Sequence, residues 1–154
     1  CIETAYLIDK GFSRQTGRFV SHPVISPNLS PFYIRHIEKA IRMVEEMTPD
    51  LFLRAWFNRE IPDTVMEDPQ QAALRIASFL KERLDGQKRS RPSLSFCITH
   101  DWNIFPVKEY IMELSHEKSG PVGYLDAVFL FRENSRYFIT SRQKEPVEVT
   151  RLIQ

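Results

Sequence analysis

Leu94-Ser95-Phe96-Cys97-Ile98-Thr99-His100-Asp101 is the stretch on which the reading of this chain turns. Six mostly apolar residues followed at once by two titratable ones predict a buried central strand whose end delivers His100 and Asp101 to a helix. Downstream, Val107, Tyr110, Ile111 and Leu114 recur at helical spacing, so a helix is expected there with Pro106 in its first turn. Strand, turn and helix in that order place charged groups at the carboxyl edge of a sheet. The free N–H groups of the helix then favour an anionic oxygen nearby.

Upstream of that stretch, the clearest local signal is residues 69 to 85. Asp68 is an N-cap, Pro69 suits the first helical position, Gln71 completes a capping box and Gly86 terminates the helix. Ala73, Ile76, Ala77, Leu80 and Leu84 form its expected buried face. Residues 31 to 47 carry Tyr33, Ile34, Ile37, Ile41, Val44 and Met47 on one helical stripe, which predicts an amphipathic helix. Thr48-Pro49-Asp50 breaks it, and Leu51, Phe52, Ala55, Trp56 and Phe57 predict a second, shorter helix.

Residues 2 to 10 read as a short helix stopped by Gly11. Residues 12 to 31, with Pro23, Pro27 and Pro31, read as a long surface excursion with one short strand near residues 18 to 21. Residues 87 to 93 form a basic connector. After a loop at 115 to 123, residues 124 to 132 and 137 to 141 read as strands joined by a turn at 133 to 135. Helices alternating with buried strands predict one domain over residues 1 to 154. The fold expected is α/β, a three-layer sandwich with a mixed, mostly parallel sheet and a C-terminal β-hairpin.

With 154 residues, 42% hydrophobic and 27% charged, the chain has enough apolar material for a core. A net charge of +1 supplies no global field to recruit nucleic acid or an anionic bilayer, so neither is an expected partner. No apolar stretch approaches the roughly 18 residues of a membrane span. Residues 1 to 20 lack the basic-then-apolar order of a signal peptide, which says little because they do not read as a natural start; together with the cysteine usage, a reducing, cytoplasmic compartment is expected. Two cysteines make neither a disulfide framework nor a zinc pattern, and Cys97 reads as a small hydrophobe.

Cys1-Ile2-Glu3-Thr4-Ala5 and the segment ending in His100-Asp101 together resemble the histidine phosphatase superfamily, which includes phosphoglycerate mutases and acid phosphatases. In that family an N-terminal Arg-His-Gly supplies the nucleophile. A segment similar to Arg-(Ala/Cys)-x-(Glu/Gln)-Thr-Ala comes next, and a later strand ends in a second histidine. Residues 1 to 5 resemble the tail of the second segment, residues 94 to 101 the later strand, residues 72 to 84 the helix before it and residues 123 to 131 the strand after it. The resemblance implies that Arg-His-Gly lies upstream of Cys1, and hence that the domain is N-terminally incomplete and inactive by itself.

The implied activity is phosphomonoester hydrolysis through a phosphohistidine, on a phosphorylated small molecule or phosphoprotein, with no cofactor and no metal. His100 would stabilise the phosphoryl group, and Asp101, or alternatively Glu60, would donate the leaving-group proton. Arg59, Trp102 and Asn103 are candidate substrate contacts. Arg14 and Arg18 could reach phosphate from a mobile loop, and Trp56 like Trp102 could wall a pocket, though plain solvation is favoured for the arginines and core or rim packing for the tryptophans. Each has a plainer role: a satisfied core histidine for His100, a helix cap for Asp101, a solvated face for Arg59. The Arg35-His36 pair is not the nucleophile motif, because Ile37 replaces the glycine and the pair lies within a helical stripe. His22 and His116 are expected in exposed loops. The alternative from a different class is a non-catalytic phosphate-binding or interaction domain. Metal-dependent His-Asp phosphohydrolases need further ligands on helices that the chain does not offer.

Overall fold

The longest well-capped helix is the axis of the molecule. A computed structural model describes residues 1–18, 23–87 and 93–153. Its helices are α1 (Ile2–Thr16), α2 (Ile37–Glu46), α3 (Pro49–Phe57), α4 (Pro69–Asp85), α5 (Asp101–Pro106) and α6 (His116–Ser119), with a 3-10 turn at Pro27–Leu29 and a π-helical turn at Val107–Ile111. Three strands close the chain: β1 (Val128–Glu133), β2 (Arg136–Ser141) and β3 (Lys144–Glu148).

Helix α4 begins where its sequence says it should. The Asp68 carboxylate accepts from Gln71 N at 3.0 Å, Pro69 lacks the N–H that would otherwise be unpaired, and Gly86 comes directly after the last turn. Ala72, Ala73, Ile76, Ala77 and Phe79 are buried, whereas Leu80 and Leu84 are only half-buried. Thr48 similarly caps α3, accepting from Leu51 N at 3.4 Å.

Two apolar clusters flank α4. One gathers Tyr33, Phe52, Trp56, Phe57 and Met66, with Tyr33 and Trp56 stacked at 4.8 Å and Trp56 Nε1 donating to the Glu67 carbonyl at 2.8 Å. The other packs Ala73, Ile76 and Ala77 of α4 against Val107, Ile111, Met112, Ile139 and Val149. The C-terminal sheet therefore leans on α4 through Ile139, which is fully buried.

The sandwich expected from the sequence is not what forms. Among the described residues the sheet has three strands in the order β1-β2-β3, and both pairings are antiparallel. The terminal hairpin is present, and Asn134 and Ser135 turn it with positive φ values of 48° and 66°, the backbone that a two-residue connection between right-twisted strands requires. Strand β3 extends it, although Pro146 lies within that strand; an edge position leaves its missing N–H without consequence.

The central strand is the main correction. Residues 93 to 100 carry no ladder; Leu94 is 71% exposed and Phe96 63% exposed. Apolar composition cannot make a strand without a neighbouring backbone to supply hydrogen-bond partners, and among the described residues none pairs with this segment.

Other differences are local. Helix α1 passes through Gly11 and ends at Gly17, whose φ of 65° and N–H bond to the Ser13 carbonyl make it the true C-terminal glycine. The excursion expected from residue 12 consequently starts later. Helix α2 begins at Ile37 rather than Pro31, because Tyr33 and Arg35 are already paired with the backbone of Glu67 and Val65 and cannot join a helix. Arg35 and His36 thus precede that helix. Beyond Pro106 the ladder widens, with Met112 N donating to Val107 O at 3.2 Å, so the expected regular helix becomes α5 plus a π turn, with Pro106 at the end of α5 rather than in its first turn. All of the strand expected near residues 18 to 21 except Arg18, and most of the basic connector, fall on residues outside those described, as does His22.

Candidate functional site

His100 reaches solvent at the start of α5. It occupies the N-cap position in extended conformation, φ −90° and ψ 158°, and its carbonyl accepts from Asn103 N at 3.1 Å. The ring is not sealed among aliphatic neighbours. Asp101 opens the helix, and its Oδ1 accepts from Trp102 N at 2.8 Å. That bond uses one of the free N–H groups at the helix N-terminus and leaves Oδ2 without a hydrogen bond among the described residues. The capping role is therefore shared: His100 supplies the cap position, and Asp101 supplies the carboxylate.

Both residues border a groove of about 360 Å³. It is lined by Ile34, Ile37, Ile41, Val44, Phe52 and Trp102 together with Glu45. Helix α2 supplies one wall because its apolar stripe is only partly covered, Ile37 being 56% and Ile41 50% exposed. The Trp102 ring is held 5.9 Å from that of Phe52. No arginine or lysine lines the groove among the described residues.

The remaining sequence candidates sit elsewhere. Asn103 is buried; its Nδ2 donates to Thr99 Oγ1 at 2.6 Å and to the Ser30 carbonyl at 3.4 Å, which pins the start of α5 to the end of the 3-10 turn. Glu60 is exposed and accepts from Asn58 Nδ2 at 3.0 Å. Arg59, at φ 63°, donates to Asp68 at 2.6 Å and to Gln70 at 2.9 Å. Burial acts to raise the Asp68 carboxyl, but the Arg59 and Gln71 hydrogen bonds outweigh it and hold the group below its ordinary value. Neither Glu60 nor Arg59 lines the groove beside His100. Arg14 lies in the last turn of α1 and Arg18 just beyond it, both exposed, while Trp56 belongs to the core. Cys97 is half-buried, and burial pushes its thiol up, away from nucleophilic chemistry.

Two features escaped sequence reading. Tyr33 is fully buried with no partner for its hydroxyl among the described residues, and burial first, then the negative charge of Asp101, raises its pKa. His116 is 7% exposed rather than a solvent-facing loop residue, because α6 tucks it against the Phe57 and Phe105 rings. It joins Glu109 and Glu117 in a cluster whose ligating atoms lie within 4.8 Å of one another. Arg54 already fills that cluster, donating to Glu109 Oε1 at 2.9 Å and Glu117 Oε1 at 2.6 Å, with Nη2 3.3 Å from His116 Nδ1. A metal would have to displace the guanidinium, so the group reads as an ion-pair network.

Among the described residues no helix is long and apolar enough to cross a membrane. No family model, curated protein or solved structure is significantly similar to this chain.

Proposed function

We propose that the chain contributes one half of a phosphomonoester-hydrolysing site of the histidine phosphatase type, with the attacking histidine supplied from outside these 154 residues. The observation that carries the reading is the solvent-facing His100 beside Asp101 at the mouth of a ligand-sized groove. In this reading the external imidazole forms an N–P bond as the ester P–O bond breaks. His100 donates to the phosphoryl oxygens, and Asp101 Oδ2 gives its proton to the leaving alkoxide. Water then attacks the phosphohistidine and returns a proton to Asp101 as phosphate departs. The bond from Trp102 N to Oδ1 orients the carboxyl and leaves Oδ2 to carry that proton.

The test uses the natural full-length product containing these residues. It is expected to hydrolyse phenyl phosphate, to lose turnover by about 100-fold or more on His100→Ala, and to lose less on Glu60→Gln than on Asp101→Asn. Unchanged turnover in His100→Ala overturns the reading. The isolated 154-residue chain is expected to be inert.

One observation favours a second reading, a non-catalytic binding or interaction domain. The groove walls are apolar and, among the described residues, carry no arginine or lysine to hold a phosphoryl dianion, and the Asp101 carboxylate repels one unless protonated. Under that reading, no phosphomonoester is turned over by the full-length product.

A further inference from the structure

We infer that the groove selects phosphomonoesters of apolar alcohols, aromatic or branched alkyl, over those of sugars, glycerol or nucleosides; this rests on the hydrolase reading above. The body of an ester whose phosphoryl group is held at His100 and that enters the groove meets Ile34, Ile41, Val44, Phe52 and Trp102. A volume of about 360 Å³ falls near the lower end of the roughly 300–1,000 Å³ that encloses a whole small ligand. The walls match an aromatic or alkyl body and mismatch a polyol, whose hydroxyls would lose water without gaining hydrogen bonds.

Charge narrows the class further. Among the described residues, Glu45 is the one ionisable side chain at the groove besides His100 and Asp101, and no lysine or arginine lines it. Glu45 also lies in the last turn of α2, where the helix dipole is negative. A second phosphate on the substrate would meet repulsion there, which excludes bisphosphates and nucleoside diphosphates. A single phosphoryl head at His100 on an uncharged apolar body avoids that second repulsion.

The experiment compares kcat/KM of the full-length product for glycerol 3-phosphate, 2-phenylethyl phosphate and 2-(2-naphthyl)ethyl phosphate, all esters of alkyl alcohols, so that leaving-group acidity is held nearly constant. Preference is expected to rise in that order, by about fourfold for each methylene-equivalent buried, so that the naphthyl ester exceeds the glycerol ester by at least about tenfold. Ile41→Asp places a charge on the wall at a half-exposed position that the core does not need. It is expected to collapse the naphthyl-to-glycerol ratio towards one, while Ile41→Leu retains it. Hydrolysis of all three esters at similar kcat/KM, or an unchanged ratio in Ile41→Asp, overturns the inference and leaves the hydrolase reading standing. No hydrolysis of any ester overturns both.

Discussion

Arg54 Nε lies 2.6 Å from Glu117 Oε1, tying α3 to α6 across sixty-three residues of sequence. The same guanidinium reaches Glu109 and the buried His116, so one side chain from α3 closes the segment beyond the π turn.

Acid should loosen that tie. The Arg54 hydrogen bond holds the Glu117 carboxyl down at about 2, against an ordinary 4.5. A depressed carboxyl contributes stability that is present above its ordinary value and is lost as pH falls from about 4.5 towards 2. Because half of Glu117 is open to solvent, Glu117→Gln is expected to cost no more than about 1 kcal/mol at pH 7, whereas Arg54→Met, which also strands the largely buried Glu109, should cost more. Urea midpoints measured from pH 6 to 3 should fall less steeply in Glu117→Gln than in the parent.

Asp68 serves both the cap of α4 and the pair with Arg59. Asp68→Ala is expected to lower unfolding free energy by about 1 to 2 kcal/mol. Asp68→Asn keeps a capping oxygen while losing the charge, and should recover most of that loss. Equilibrium denaturation of both variants checks the division.

Lys108 is buried in the π turn with Nζ bonded to Gln143 Oε1 at 2.8 Å. Burial pushes its amine below the usual 10.5, with Asp126 offsetting part of the effect. The unfolded chain therefore binds more protons between the depressed value and 10.5, and stability should rise with pH through that window. Lys108→Met is expected to be neutral or stabilising by about 1 kcal/mol at pH 7 and to flatten the rise. Thermal unfolding measured from pH 7 upward reads both effects.

Tyr33→Phe removes a buried hydroxyl that has no partner among the described residues. The change should therefore leave stability unaltered or raise it by up to about 1 kcal/mol. Trp56→Ala, which empties the other half of the same stack, should cost about 3 to 5 kcal/mol. A large loss in Tyr33→Phe would show that the hydroxyl is bonded in solution.

Local signals in the chain were enough for elements whose cause is local. Asp68-Pro69 with Gly86 bounds α4, Thr48-Pro49 starts α3, and the turn at Asn134 and Ser135 sets the hairpin, because caps and turns are satisfied by residues a few positions away. His100 and Asp101 could be marked as a titratable pair at a helix start for the same reason. Whether residues 94 to 99 become a strand is a different kind of question. Their apolar pattern states a preference, but a ladder needs a neighbouring backbone, and only the folded chain shows that none of the described residues provides it.

The groove, the burial of His116 and the edge strand through Pro146 likewise depend on elements far apart in sequence. Helix α2 meets residues 100 to 102 over a partly covered stripe, and α6 brings a histidine against rings from α3 and α5. The order of residues along the chain thus set where α3 and α4 begin and where the hairpin turns, since short-range hydrogen bonds govern those. Which apolar faces are covered and which titratable groups meet came only with the assembled molecule, since burial and ion pairing belong to surfaces brought together by folding and not to any one segment.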